Sequence, residues 1–357
     1  MQRLVRTKGD EGKIMLKKIL AISLSLIMIF LSGCSNVENE NIESKENKPL
    51  VENINNINII IDPRIELLSV IIYLSPTYNS RTNSLIPQDL TYKKDVEKWF
   101  GKYKDHEAVK LFESMSQKAY THNAPPTTML YLTNTPHLTI RDDIDTNDLD
   151  YKQCIKRAGG KRKFKKFVKA LNSFCEESNF YDFYNNHIEY YERVIDSPKE
   201  IMKNINDVSL IESYYGTKQN SYNIIFSGML YENNYGPRVE NSDGKYDIYY
   251  IKGSYSACND LPNWGQEDSY KNLIRHEFGH SFINNLTSKN ITEVNKYEKL
   301  FDPIENIMGK QGYPEWETCV NEHLVRAVVI RINAINKGES TVNNAIKIEK
   351  NNGFIYI

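Results

Sequence analysis

The sequence predicts an α+β protein, and three observations carry that expectation. A β-branched run, Ile57–Ile61, leads straight into the helix-start signal Asp62-Pro63. Helical periodicity then dominates as far as about residue 206, and a β-rich stretch over 223–251 runs into a further amphipathic helix. With 357 residues and 40% apolar content, the chain is large enough to build a substantial core.

Taken in order, the Ile-rich strand at 57–61 precedes a helix capped by Asp62, started by Pro63, and continued through Glu66, Leu67, Leu68 and Ile72. A helical pattern follows over 92–119. After Pro125-Pro126, residues 127–133 read as a strand. Residues 142–150 contain five aspartates but lack the order and glycine of a calcium loop, so they read as a solvated acidic loop. The basic run 161–166 resembles a nucleic-acid patch. However, Phe164, Phe167, Val168, Leu171 and Phe174 fall on one helical face, and the lysines and arginine become its wet side. Ser197-Pro198-Lys199-Glu200 has the form of a capping box that starts a helix, and Gly216 marks a helical stop. Strands at 223–231 and 246–251 are separated by turn signals at Tyr235-Gly236-Pro237 and Asp243-Gly244.

Charge narrows the partners. Lys and Arg total 45 against 46 Asp and Glu, a net charge of -1, so no global field draws in nucleic acid or an acidic polymer. The N-terminal end is more specific. Lys17 and Lys18 precede the apolar run 19–31, which ends in Leu31-Ser32-Gly33-Cys34. This pattern is a secretion signal, too short for a comfortable membrane span. Its last four residues resemble the lipobox of bacterial lipoproteins, which implies processing before Cys34, lipid attachment at Cys34 and an extracytoplasmic location on the membrane. Met15-Leu16-Lys17-Lys18 would itself be a normal signal start. The expected organisation is a leader at 1–33, a flexible linker at 34–56 rich in Asn, Glu, Lys and Ser, a mainly helical part at 57–206, and a catalytic part at 207–357. Cys154, Cys175, Cys258 and Cys319 permit two disulfides without requiring them, and none has the spacing of a cysteine zinc site.

The chemistry concentrates at His276-Glu277-Phe278-Gly279-His280, an HExxH sequence. Residues four apart lie on one helical face, so both imidazoles can reach one zinc ion. Glu277 projects beside the metal, where it can take a proton from zinc-bound water and pass it to a leaving amine. Ile274, Phe278 and Phe282 supply the apolar stripe of the helix. Asp268 or Ser269 could cap its start and Asn284-Asn285 its end. Gly279 costs helix stability and suggests a close backbone neighbour. A catalytic zinc takes a third protein ligand. The leading candidate is Glu322, a carboxylate on an apolar helix over 317–335, where a structural pairing with Arg326 is the competing role. Glu298, Asp302 and Glu305 rank behind it, with His323 a further candidate.

Together, the HExxH motif, Asn321-Glu322 and an upstream Tyr313 resemble the gluzincin class of zinc metallopeptidases. His276-Glu277-Phe278-Gly279-His280-Ser281-Phe282, Gly312-Tyr313, Trp316 and Glu322-His323-Leu324-Val325-Arg326-Ala327 are also similar to an uncharacterised family of secreted bacterial proteins with a domain of unknown function. The gluzincin resemblance implies a zincin-like fold with a twisted sheet against the HExxH helix. It also implies His276, His280 and Glu322 as zinc ligands, Glu277 as catalytic base and Tyr313 as oxyanion donor. A strand within 223–251 would line the cleft, with Asn233-Asn234-Tyr235-Gly236 at its rim, and pair with an extended peptide or protein substrate. The interval of 41 residues between His280 and Glu322 is longer than usual for the class. Two rival readings are a surface binding lipoprotein or inactive homologue with a non-catalytic zinc, and a zinc hydrolase of cell-wall amides. Glu277 argues for catalysis, because a pure binder needs no acid between the two histidines.

Overall fold

A computed structural model describes residues 45–77, 90–230 and 234–357. The leader, Cys34 and most of the expected linker lie outside the described residues.

The described chain is mixed α+β, as expected. Strand β1 (Leu50–Ile54) and strand β2 (Ile57–Ile61) form a hairpin through Asn55 and Asn56, both at positive φ, where asparagine is tolerated better than most residues. Helix α1 (Pro63–Leu74) follows at once. Asp62 accepts a hydrogen bond from the Arg64 amide at 2.9 Å, and Pro63 occupies the first turn. This helix is apolar nearly all round and is buried along its length, as such a pattern requires.

Short helices then build one side of the molecule: α2 (Thr91–Phe100), α3 (Glu107–Ser116), α4 (Ala124–Leu130), α5 (Leu149–Arg157), α6 (Lys161–Ser178), α7 (Phe180–Asn186), α8 (Ile188–Met202) and α9 (Val208–Tyr215). In α6, Phe164, Phe167, Leu171 and Phe174 are buried while most of its charges face solvent, so the basic run is indeed the wet face. Gly216 ends α9 in the left-handed conformation.

Two expectations fail here. The segment 127–133 is mostly helical, because Pro125 and Pro126 occupy the first turn of α4, where their missing N–H groups cost nothing. Pro198 does not start a helix but sits inside α8, toward its C-terminal end.

The rest of the sheet comes from β3 (Ser221–Ser227), β4 (Asn234–Tyr235), β5 (Arg238–Glu240) and β6 (Tyr246–Gly253), with a separate hairpin of β7 (Ser256–Cys258) and β8 (Leu261–Asn263). The strand order is β1-β2-β3-β6-β4, with β5 also pairing β6. Strands β2, β3 and β6 run parallel, while β1, β4 and β5 pair antiparallel. The three parallel strands are almost wholly buried, which suits the apolar and aromatic runs Ile59–Ile61, Ile224–Phe226 and Ile248–Ile251 at their centres. The Asn58 amide donates to Asn223 at 2.8 Å across β2 and β3.

The sheet therefore draws strands from both sides of residue 206, and one continuous core joins them within the compact unit Glu46–Ile357. The expected flexible linker is also too long. Order begins before β1, where the Asn47 side chain is buried, donates to the Tyr181 carbonyl at 3.1 Å and accepts from the Thr135 hydroxyl at 2.8 Å.

Helix α10 (Glu267–Lys289) carries the HExxH motif. It is followed by α11 (Ile291–Val294), α12 (Glu305–Lys310), α13 (Trp316–Lys337) and α14 (Val342–Asn351). Cys154, Cys175 and Cys319 are buried free thiols, and Cys258 is an exposed one. Among the described residues, no helix is long and apolar enough to cross a membrane.

Candidate metal centre

The motif helix α10 is fixed to the sheet by its apolar face. Ile274 and Phe278 are fully buried, and the Phe278 ring lies 5.3 Å from that of Tyr222 on β3. Phe282 stacks on Tyr215 of α9 at 4.2 Å. The helix starts after Gln266 with no side-chain cap, and it runs past Asn284-Asn285 to Lys289, so the expected cap and stop are both corrected. Gly279 answers to a close neighbour, but that neighbour is side chain rather than backbone. A Cβ there would lie 3.0 Å from the Tyr215 hydroxyl and 3.3 Å from Val325 of α13. The missing side chain lets α13 come close enough to present its own polar face.

That approach delivers Glu322. His276 Nε2 and His280 Nε2 stand 3.1 Å apart, Glu322 Oε1 lies 3.2 Å from His280 Nε2, and Glu322 Oε2 lies 3.5 Å from His276 Nε2. The three residues form a group that could hold a metal ion. Donors at the corners of a tetrahedron with zinc-type bonds of 2.0–2.1 Å are about 3.3 Å from one another, so the observed spacing fits that ion. Two further details agree. His280 Nδ1 donates to Asn284 Oδ1 at 3.2 Å, which leaves the Nε2 lone pair directed at the centre. Glu322 Oε2 is buried with no hydrogen-bond partner, its nearest cation being Arg326 Nε at 3.5 Å, so a bound ion would supply the contact it lacks.

The three side chains also compensate one another electrostatically. Burial, reinforced by the neighbouring His280, pushes His276 down to about 3. Burial also opposes charge on His280, but the hydrogen bond and charge of Glu322 outweigh it and raise His280 to about 9. Burial would raise Glu322, yet His280 and His276 hold it down to about 2. A carboxylate flanked by two imidazoles that cannot both become cationic is a ready cation site.

Glu277 is 6% exposed, and burial lifts it to about 7, against the pull of His280. It sits under the edge of the sheet: a Cβ on Gly236 would come within 2.3 Å of the Glu277 carbonyl oxygen and 3.0 Å of its Oε2. Gly236 links β4 to β5, so the antiparallel edge of the sheet crosses directly over this acid. Arg238 pins the crossing, donating to the Ser281 carbonyl on α10 at 3.0 Å and to Asp150 at 2.7 Å.

A cavity of about 520 Å³ opens beside the trio, with His276, Glu277, Tyr313, Arg326, Asn234 and Glu349 among its lining residues. Tyr313 thus shares the cavity with Glu277. Burial, with the charge of Glu322, raises its hydroxyl to about 12, so it keeps its proton at neutral pH. Arg326 plays the competing role only in part: its Nε lies 3.5 Å from Glu322, while its closer partner is Glu349 at 3.1 Å.

The other candidates stay outside the trio. Glu298, Asp302 and Glu305 are exposed, and His323 binds the Cys319 carbonyl at 2.8 Å and packs on Phe354. The acidic stretch is also more than a solvated loop. Asp143 pairs with Arg141, Asp148 caps α5, and Asp150 holds Arg238. Sequence reasoning placed Asn234 and Gly236 at a cleft rim, and both lie at the site, but it read Asn284 only as a helix stop and missed Arg238, Asn272 and Asn333.

The fold and site define an α+β protein with a His–His–Glu group, its two histidines half-buried and its glutamate buried, that could hold a metal ion. The chain belongs to the family described as a domain of unknown function, DUF4932, which matches residues 57–357. No curated protein and no solved structure matches it.

Proposed function

We propose that this protein is a zinc-dependent metallopeptidase with a zincin-like catalytic domain, exported and held at the membrane by a lipid on Cys34. The observation that carries the reading is the spacing of His276, His280 and Glu322, with the buried acid Glu277 beside them. Two imidazoles and one carboxylate form the donor set of a catalytic zinc, with room for a further ligand. When bound, zinc would supply Lewis acidity toward a substrate carbonyl and lower the pKa of water.

The remaining steps belong to the chain's own side chains. Glu277, buried and raised toward neutrality, takes a proton from the attacking water and returns it to the leaving amine. Tyr313, which retains its proton, donates to the developing oxyanion from the cavity wall. Asn284 fixes the His280 ring. The antiparallel edge at Asn234–Tyr235 offers main-chain groups to an extended peptide, and Gly236 keeps that edge close above Glu277.

The test is to purify residues 35–357, measure bound zinc, and digest a peptide library, casein and purified cell wall with and without chelator. Glu277→Ala should keep zinc and lose activity by about 10²–10⁴-fold. His276→Ala and His280→Ala should lose the zinc. Equal activity in all three variants would sink the peptidase reading, and cleavage of wall alone would favour an amide hydrolase. Palmitate labelling that survives Cys34→Ala would remove the anchor.

A further inference from the structure

The cavity beside the metal centre carries a polarity that its lining residues do not show until their hydrogen bonds are traced. A carboxamide offers an acceptor oxygen at one end and two donors at the other, so the end that is already engaged decides what the free end reads. Asn234 Oδ1 accepts from the Tyr250 hydroxyl at 2.7 Å and from the Lys252 ammonium at 3.4 Å. An ammonium only donates, so this amide cannot be turned round.

Asn272, one turn before His276 on α10, is fixed by a longer relay. Asp207 grips the buried Arg275 guanidinium with contacts of 2.7 and 2.9 Å. Arg275 donates through Nη1 to Asn333 Oδ1, which commits Asn333 to donate from Nδ2 to Asn272 Oδ1 at 2.9 Å. A guanidinium has no acceptor, so the direction of the whole relay is set. The Oδ1 of Asn234 and that of the exposed Asn272 are both engaged, so what these two lining residues have left to offer a ligand in the cavity is their NH₂ groups.

Charge completes the picture. Arg326, the cavity's cation, is held by Glu349 at 3.1 Å. Glu277 adds a carboxyl group nearby, so an incoming carboxylate would meet like charge. Leu273, Val329, Ile330 and Ile348 supply an apolar wall.

We propose that this cavity selects peptides carrying, next to the cleaved bond, an uncharged side chain with an apolar stem and an oxygen acceptor at its end, of the glutamine type. Asn272 and Asn234 donate to that oxygen, and Asn272 is a specificity-determining residue. The proposal rests on the peptidase reading.

The experiment uses zinc-loaded protein and a set of otherwise identical peptides with Gln, Leu, Glu or Lys at the variable position. The Gln peptide should be favoured about tenfold in kcat/KM, chiefly through KM. Asn272→Leu should erase that preference in favour of Leu, and Asn272→Asp should shift it toward Lys, both with bound zinc unchanged. Turnover that ignores the variable residue, or a Gln preference that survives Asn272→Leu, overturns the proposal while leaving the peptidase reading intact. If no peptide is cleaved at all, the peptidase reading fails and this inference falls with it.

Discussion

The two sides of the candidate metal centre are built to different standards. The histidines ride on α10, whose Ile274 and Phe278 are part of the main core between helix and sheet. Glu322 rides on α13, which reaches the main core through Ile332 but whose first turns, around Cys319, belong to a second and far smaller cluster with Phe301, Ile304, Met308 and Phe354. Around that cluster the chain is short-helical, and Tyr297, Leu300 and Ile307 are exposed. Fewer buried contacts mean a lower cost of local opening. The His pair is thus a fixed reference, and the Glu322 side is the one whose position other contacts must maintain, notably Arg326 between Glu349 and the Phe354 ring at 4.0 Å.

Substitutions can break this contrast, and the largest expected effect lies in the main core. Phe278→Ala should cost about 3–5 kcal/mol of global stability. Zinc should then be lost together with the fold, so urea unfolding and zinc release should share one midpoint. At the smaller cluster, Phe354→Ala should separate the two events. Zinc affinity should fall by about 10–100-fold, as when a supporting contact is removed from a metal ligand, while the main unfolding transition moves less than in Phe278→Ala. Coincident transitions in both variants would show that the two sides form a single cooperative unit.

Gly236→Ala sharpens the comparison from above the site. The added Cβ must displace either the edge strand or Glu277. Misplacement on this scale is worth about 10²-fold in turnover. Bound zinc should fall less than turnover, because the clash falls on Glu277 before it reaches the histidines on either side.

A control far from the metal comes from Glu66. Burial raises this acid to about 7, despite the hydrogen bond it accepts from the Tyr92 hydroxyl at 2.6 Å. Between its unfolded value near 4.5 and about 7, the folded state holds the proton that the unfolded state gives up. Stability therefore falls as pH rises through that window and stays lower above it, by an amount on the order of 3 kcal/mol. Glu66→Gln should flatten this part of the pH–stability curve in urea melts at pH 5 and pH 8. The smallest effect belongs to the exposed pair Lys166–Glu107 at 2.7 Å. Lys166→Ala should leave the urea midpoint where it is in the unaltered protein.

What could be read in the sequence was what local pattern determines. Strand β2, the Asp62-Pro63 start of α1, the buried face of α6 and the helix around Glu322 all follow from periodicity and capping. The two histidines needed only the spacing of one helical turn, and Glu322 stood out as a carboxylate in an apolar run. Where local preference conflicted with position, the reading failed. Threonines and a tyrosine after Pro125-Pro126 suggested a strand, but prolines in a first turn favour the helix that forms. Residues 50–54 looked too polar to order, yet they complete the sheet edge by pairing with β2, with only part of their surface buried. Gly236, Arg238 and Asn272 act through partners tens of residues away, and no window of sequence contains those contacts.

The last residues of the chain have a practical bearing. Gly353 sits at a φ of +96°, and a Cβ there would come within 2.8 Å of Ile307 and 2.9 Å of Met308. The chain turns at this glycine to seat Phe354 against Arg326 and His323. A purification handle or fluorescent fusion appended after Ile357 would pull on that seat and, through the guanidinium, on Glu322. Affinity measurements on the centre should therefore carry any tag at the opposite terminus.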